Sequence, residues 1–211
     1  MKRVFNLIVM DESGSMSIIE KQALVGMNET IDTIKKLHKA HPDMEQHVTL
    51  LTFDSNHCRF IYDNVLATKT RKLSPKEYNP CGGTPLYDAI GTGIAKLNAQ
   101  TTSEDNVLVT IITDGEENCS QEYNLQMIQT LIAKLKAQNW TFSLIGTDAL
   151  DVEGMAGQLH IDNHLSFCQD EDGTREMFRR ERRARGRFND ALCSMASPMA
   201  MTNYFKDDDE K

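Results

Sequence analysis

The chain contains few cysteines and no long apolar run. Its five cysteines include no Cys-x-x-Cys pair, and an odd number of them is unsuited to a disulfide framework. No segment approaches the roughly 20 apolar residues of a membrane-spanning helix. The N-terminal stretch MKRVFNLIVMDESGS reaches an acidic residue too early for a secretory signal peptide. We therefore expect a cytoplasmic protein with reduced thiols and no membrane contact.

Basic residues are fewer than acidic ones, and the 211 residues carry a formal net charge of −8 at pH 7. Such a charge disfavours a general nucleic-acid binder. The exception is REMFRRERRARGR, residues 175–187, with seven arginines. Phe178, Phe188 and Leu192 predict the buried stripe of a helix here. Most of its arginines would then face water: Arg179, Arg180, Arg182, Arg183, Arg185 and Arg187. Both a solvated face and a docking surface for an acidic protein fit this pattern.

The length of the chain suits one well-buried domain and is short for two. The last segment with a helical pattern is followed by Ser197, Pro198 and several methionines. We therefore predict a single domain over residues 1–195 and a flexible C-terminal tail over residues 196–211.

Apolar, β-branched runs alternate with segments of helical period, which is typical of a parallel sheet covered by helices. The predicted strands are Val4–Met10, His47–Asp54, Cys58–Val65, Asn106–Thr113, Trp140–Gly146 and His164–Cys168. The predicted helices are Ile19–His38, Leu86–Asn98, Asn124–Gln138, Val152–Leu159 and Gly173–Met195. The fold class is therefore α/β: a doubly wound, mostly parallel sheet of about six strands with helices on both faces.

One connection in this pattern is too short for a helical crossover. Only the three residues SNH separate the second predicted strand from the third. Two strands joined in this way must be antiparallel, so we predict that Cys58–Val65 is an antiparallel edge strand.

Three polar segments lie at the ends of apolar strands or before a helix. DESGS supplies Asp11, Ser13 and Ser15, GGTPLYD supplies Thr84, and TDGEEN supplies Asp114. Ligands of doubly wound sheets bind at the carboxyl ends of the strands, where these segments would meet. Two carboxylates and three hydroxyls are hard oxygen ligands that suit Mg²⁺. A cation with so few anionic ligands would attract another carboxylate from a partner protein.

The three motifs DESGS, GGTPLYDAI and ITDGEEN, in this order and on these elements, resemble the metal-ion-dependent adhesion site of von Willebrand factor type A (VWA) domains. The resemblance covers about residues 3–188. It implies that Asp11, Ser13 and Ser15 are first-loop ligands of Mg²⁺ or Mn²⁺, that Thr84 is the second-loop ligand and that Asp114 is the third-loop ligand.

The resemblance also implies a function. The segment LIGTDALDVEGMAGQLHIDNHLSF most resembles small intracellular bacterial members of this family. We therefore expect a non-enzymatic protein-interaction module that binds an Asp or Glu of its partner through the divalent cation. Association with an ATPase, kinase or phosphatase system is what the resemblance suggests for such members.

Other interpretations of the same residues remain open. Asp11 and Ser13 also fit a helix N-cap, and Thr84 fits a cap before Pro85. A metal-dependent hydrolase or phosphoryl-transfer enzyme is the alternative function, but the motifs offer neither a G-x-S-x-G nucleophile elbow nor a GK[ST] phosphate loop. An accessory subunit that docks an acidic or nucleic-acid partner through the arginine-rich helix is a further alternative.

Several residues near the motifs also need an interpretation. Glu12 adds a carboxylate at a variable position of the first motif, which would change the local charge. Cys81 and Cys119 lie beside predicted ligand loops, where they are either unreactive thiols or a pair. Glu116 and Glu117 would be acidic residues at a helix start or ligands of a second cation.

Overall fold

The computed structural model describes residues 1–194 and 200–206, and within them strands alternate with helices. The strands are β1 (Lys2–Asp11), β2 (Met44–Phe53), β3 (Cys58–Leu66), β4 (Asn106–Thr113), β5 (Trp140–Thr147) and β6 (Asn163–Phe167). The α-helices are α1 (Glu20–Ala40), α2 (Leu86–Asn98), α3 (Leu125–Lys136), α4 (Val152–Gln158) and α5 (Glu171–Ser194). Short 3-10 helices cover Gly14–Ile19, Ala67–Lys69 and Pro75–Glu77.

The strands form one sheet in the order β3-β2-β1-β4-β5-β6. Strand β1 lies at its centre and is parallel to both β2 and β4. Only β3 runs antiparallel, with Phe53 of β2 opposite Cys58 after the short turn. The predicted doubly wound sheet with one antiparallel edge strand is confirmed.

Side chains of the central strand alternate between two helical layers, because successive residues of a strand point to opposite faces of the sheet. Leu7 and Val9 of β1 pack in one cluster with residues of α2, α3 and α4. Ile8 and Met10 pack in a second cluster with residues of α1 and α5. The sheet is therefore covered on both faces, and its polar loops are left at the strand ends.

Helices α1 and α5 approach closely on the second face. A Cβ added at Gly26 of α1 would overlap the ring of Phe178 of α5. Both residues are buried, so the absence of a side chain at position 26 fixes the distance between the two helices.

The arginine-rich helix α5 differs from the prediction at Arg185, which is fully buried rather than facing water. Its guanidinium donates to Glu181 Oε1 from Nε at 2.9 Å and from Nη2 at 2.6 Å. It also donates to Thr110 Oγ1 at 3.0 Å and to Asn6 Oδ1. A buried ion pair is tolerated when most of its polar atoms are paired. These contacts pair the guanidinium with Glu181 Oε1, whereas Glu181 Oε2 is buried without a hydrogen-bond partner among the described residues.

Three other arginines of α5 form ion pairs with acidic side chains. Arg182 forms an ion pair of 2.7 Å with Glu29 of α1. Arg175 pairs with Asp172 one turn earlier. Arg179 pairs with Glu176 in the same way. Much of the positive charge of the run is therefore compensated within the molecule.

The predicted flexible tail covers residues 196–211, and the structure describes residues 200–206 of it. In residues 200–206, Tyr204 is buried, and its backbone N–H donates to Asn163 Oδ1 at 2.9 Å. Its hydroxyl donates to Glu181 Oε1 at 3.0 Å. The backbone N–H of Met201 donates to Thr141 Oγ1 at 2.9 Å. These residues pack on the domain, whereas Ser197 and Pro198 lie outside the described residues.

Across residues 1–194 and 200–206, no helix combines the length and the apolar character needed to span a membrane. The five cysteines are free thiols.

Candidate metal site

The polar motifs meet at the point where the strand order reverses. The chain moves from β1 to β2 on one side of the sheet and resumes at β4 on the other side of β1. The carboxyl ends of β1 and β4 are therefore neighbours whose following loops diverge, which leaves a crevice between them. Asp11 is the last residue of β1, and Asp114 directly follows β4.

Asp11 is fully buried at this crevice. Its Oδ1 accepts from the backbone N–H of Ser13 at 2.7 Å, and its Oδ2 accepts from Thr113 Oγ1 at 2.6 Å. Burial raises the pKa of Asp11 to about 6, although these hydrogen bonds oppose the rise and the charge of Asp114 adds to it. A carboxylate held in this way is stabilised by a cation beside it.

A chain of short contacts continues from the first loop, residues 11–19, to the third loop, residues 114–124. The hydroxyls of Ser13 and Ser15 are 3.2 Å apart. Ser15 Oγ donates to Asp114 Oδ1 at 2.7 Å. Burial raises the pKa of Asp114 as well. The two carboxylates and two serines of the predicted ligand set are thus linked by adjacent contacts.

Thr84, in the second loop (residues 79–85), lies against the third loop. Its backbone N–H donates to Asn118 Oδ1 at 2.9 Å, and its carbonyl accepts from the backbone N–H of Asn118 at 3.2 Å. A Cβ added at Gly115 would lie 2.9 Å from Thr84 Oγ1, so only glycine leaves room for this hydroxyl. The structure therefore places all three motifs at one edge of the sheet. The role of the five residues as ligands stays a prediction.

Backbone contacts join the first loop to the second. The N–H of Gly14 donates to the carbonyl of Gly82 at 3.0 Å, and the N–H of Cys81 donates to the carbonyl of Glu12 at 2.8 Å. Gly82 has φ of +68°, and an added Cβ would overlap Ser55 Oγ. A tight turn that only glycine adopts without strain thus holds the second loop against the first.

The carboxylate of Glu12 contacts the second loop and the hairpin formed by β2 and β3 (residues 44–66). Its Oε1 accepts from the backbone N–H of Asn79 at 2.6 Å. Its Oε2 lies 3.1 Å from His57 Nε2 and 3.3 Å from the guanidinium of Arg59. Glu12 therefore ties the hairpin and the second loop to the first loop.

A fourth loop, residues 168–170 between β6 and α5, also reaches the site, although it belongs to none of the three motifs. The side-chain amide of Gln169 donates to Asp114 Oδ2 and lies 3.4 Å from the carbonyl of Ser15. A single glutamine after a strand carries no motif, so the sequence offered no signal for this contact.

The neighbouring thiols and acidic residues have local partners. Cys81 Sγ donates to Asp54 Oδ2 at 2.8 Å, and this contact raises the pKa of the thiol. Burial raises the pKa of Cys119. Glu117 accepts from the backbone N–H groups of Tyr87, Cys119 and Ser120, which makes it a loop-forming residue. These contacts favour unreactive thiols and a structural role for Glu117.

The donor set fits a small, hard cation such as Mg²⁺ or Mn²⁺. Carboxylate and hydroxyl oxygens are the ligands that these ions take in proteins. The four loops contain no lysine or arginine, so no protein cation offsets the two carboxylates of the site from these loops. Among residues 1–194 and 200–206, no group of three or more His, Cys, Asp or Glu side chains is arranged to hold a metal. The proposed set has only two such residues.

No protein-family model matches the chain. No curated protein matches it either.

Solved structures do match, at low sequence identity. The SpRpn10 VWA domain has 17% identity and a TM-score of 0.56, over 82% of this chain and 92% of that one. The vWF domain of the type V pili tip protein Mfa5 from Porphyromonas gingivalis has 10% identity and a TM-score of 0.60, over 84% and 94%. The PilB minor pilin from Streptococcus sanguinis has 15% identity and a TM-score of 0.60, over 92% of this chain but only 63% of PilB. The chain therefore has the α/β fold seen in VWA domains.

Proposed function

We propose that this protein is a non-enzymatic interaction module that binds Mg²⁺ or Mn²⁺ and uses the ion to capture an Asp or Glu carboxylate of a partner protein. Asp11, Ser13, Ser15, Thr84 and Asp114 would hold the cation. The observation that carries the proposal is the chain of contacts from Ser13 through Ser15 to Asp114 beside the buried Asp11. These contacts lie at the crevice where doubly wound sheets bind their ligands.

The charge balance explains why a partner carboxylate would be attracted. Two carboxylates and three neutral hydroxyls leave the cation with few anionic ligands, so it would act as a Lewis acid toward another oxygen anion. The serines matter because a hydroxyl contributes an oxygen without a charge. A third carboxylate from the protein itself would compete with the partner for the ion.

The resemblance to small intracellular bacterial VWA proteins suggests a partner in an ATPase, kinase or phosphatase system. Binding of nucleic acid through α5 is disfavoured, because Arg185 is buried and Arg175, Arg179 and Arg182 pair with acidic residues.

Three forms of the protein test the proposal: the wild type, Asp114→Ala and Ser13→Asp. Calorimetry with Mg²⁺ and Mn²⁺ measures cation binding, and capture of proteins from the source cell is compared in Mg²⁺ and in chelator. Asp114→Ala should weaken both cation binding and capture. Ser13→Asp should keep or strengthen cation binding and weaken capture, because the added charge reduces the attraction for an acid.

Thermal unfolding of each variant controls for loss of the fold. Wild-type protein that binds neither cation would contradict the metal site. A Ser13→Asp variant that holds the cation and captures its partner as the wild type does would contradict the charge argument.

A further inference from the structure

The carboxylate of Asp114 is held from two sides by two different loops. Ser15 of the first loop donates to Oδ1 at 2.7 Å. Gln169 of the fourth loop donates to Oδ2. Because Asp114 lies after the end of β4, the sheet does not fix its side chain, and these two donors decide which way its oxygens face.

The backbone around Gln169 is itself well anchored. Strand β6, which ends two residues earlier, pairs with β5. Asp170 precedes the first residue of α5 and caps the start of the helix. Its Oδ1 accepts from the backbone N–H of Gly173 at 2.7 Å, and its carbonyl accepts from the hydroxyl of Thr174 at 2.6 Å. The amide therefore reaches Asp114 from a hydrogen-bonded junction between a strand and a helix.

The chemistry of glutamine suits this position. Its amide donates a hydrogen bond without adding a charge, whereas lysine or arginine would repel a nearby cation and glutamate would add a third carboxylate. An apolar side chain of the same size would leave Asp114 Oδ2 without this donor. Outer-shell donors of this kind set the orientation of metal-binding carboxylates.

We propose that Gln169 is a positioning residue of the cation site: its amide holds the Asp114 carboxylate toward Ser15 and Asp11 while leaving the charge of the site unchanged. The proposal rests on the proposed function, since it assigns a role in the same site to a residue outside the three motifs.

The test compares Gln169→Leu with Gln138→Leu. Gln138 is an exposed glutamine between α3 and β5, at the amino end of the strand and away from the candidate site. Calorimetry gives the affinity for Mn²⁺, and the electron paramagnetic resonance spectrum of bound Mn²⁺ reports the symmetry of its ligands. Gln169→Leu should weaken Mn²⁺ binding by about tenfold, as loss of an outer-shell donor does, and should alter the spectrum. Gln138→Leu should change neither. Thermal unfolding in chelator checks that each variant remains folded.

A double-mutant cycle separates positioning from a general structural effect. If Gln169 acts through Asp114, Gln169→Leu should have little further effect on Mn²⁺ affinity in an Asp114→Asn background. Effects of the two changes that simply add, or a Gln169→Leu variant that binds Mn²⁺ like the wild type, would overturn the inference. Absence of Mn²⁺ binding to the wild type would instead overturn the proposed function.

Discussion

At the scale of single residues, Glu12 shows how a carboxylate beside a candidate cation site is turned away from it. It lies between two predicted ligands, Asp11 and Ser13, and it is fully buried. Its partners are Asn79, His57 and Arg59, which belong to the second loop and the hairpin. The additional charge expected from the sequence is therefore paired with His57 and Arg59.

The change Glu12→Gln should separate this structural role from metal binding. The amide oxygen can still accept from Asn79, but the charge that faces His57 and Arg59 is lost. We expect the free energy of unfolding to fall by about 1–3 kcal/mol, as for the loss of a charged hydrogen bond, while Mn²⁺ affinity changes little. Chemical denaturation and calorimetry measure the two quantities. Glu104→Gln, at an exposed carboxylate just before the amino end of β4, is the matched control. A loss of Mn²⁺ affinity confined to Glu12→Gln would show that Glu12 is a ligand.

The candidate site was predictable where each residue belongs to a local motif at a strand end. Asp11, Ser13 and Ser15 lie within a few positions of one another, and Asp114 follows the most apolar strand. Gln169 was not predictable, because its contact depends on how a distant loop packs. The direction of Glu12 depends on His57 and Asn79, which a reading of the first loop alone does not include.

At the scale of helices and strands, the hydrophobic pattern predicts element bounds, and in α5 it also indicates which side of the helix Arg185 occupies. The bounds of α2 and β4 agree with the predicted segments. In α5, Arg185 lies seven residues from both Phe178 and Leu192, which are two members of the buried stripe, so it falls on the same side of the helix. Its residue type alone predicts a position in water, since arginine is almost never fully buried unless paired. The ion pair with Glu181, which makes the burial of Arg185 tolerable, is seen only in the structure.

Two glycines in helices should respond in opposite ways to the same substitution. Gly26→Ala would push the Phe178 ring out of its place between α1 and α5, and overpacking of this kind costs about 1–3 kcal/mol. Gly186→Ala in α5 meets no atom within 4 Å, and the gain in helix propensity should stabilise the fold by about 1 kcal/mol. Urea unfolding of both variants measures these differences. Equal stabilisation by the two changes would show that α1 and α5 are not held at this distance in solution.

At the scale of the whole molecule, alternation of strand and helix predicted the doubly wound architecture, and the three-residue turn predicted the antiparallel edge. The strand order was not predictable in the same way, because it depends on which distant segments pair. That order places β1 beside β4 and so brings the first and third loops together. The burial of Tyr204 was not predictable from the sequence either. A short segment after a run without pattern packs into the core through contacts with Asn163 and Glu181 that no periodicity reveals.

Removal of the cation should lower stability moderately and leave the fold intact. The proposed ligands lie in loops at the carboxyl ends of the strands, whereas the apolar clusters lie on the faces of the sheet. An ion present at about 100 times its dissociation constant adds about 2.7 kcal/mol to the stability of the state that binds it. For a chain of this size each kcal/mol shifts the unfolding midpoint by about 2–4 °C. We therefore expect chelator to lower the midpoint of a Mg²⁺-saturated sample by about 5–10 °C, with the far-ultraviolet circular dichroism unchanged at low temperature. The variant Asp114→Ala should show a smaller shift, because it binds the ion more weakly. Loss of the circular dichroism signal in chelator would mean that the ion is required for folding, and an unchanged midpoint would mean that Mg²⁺ does not bind.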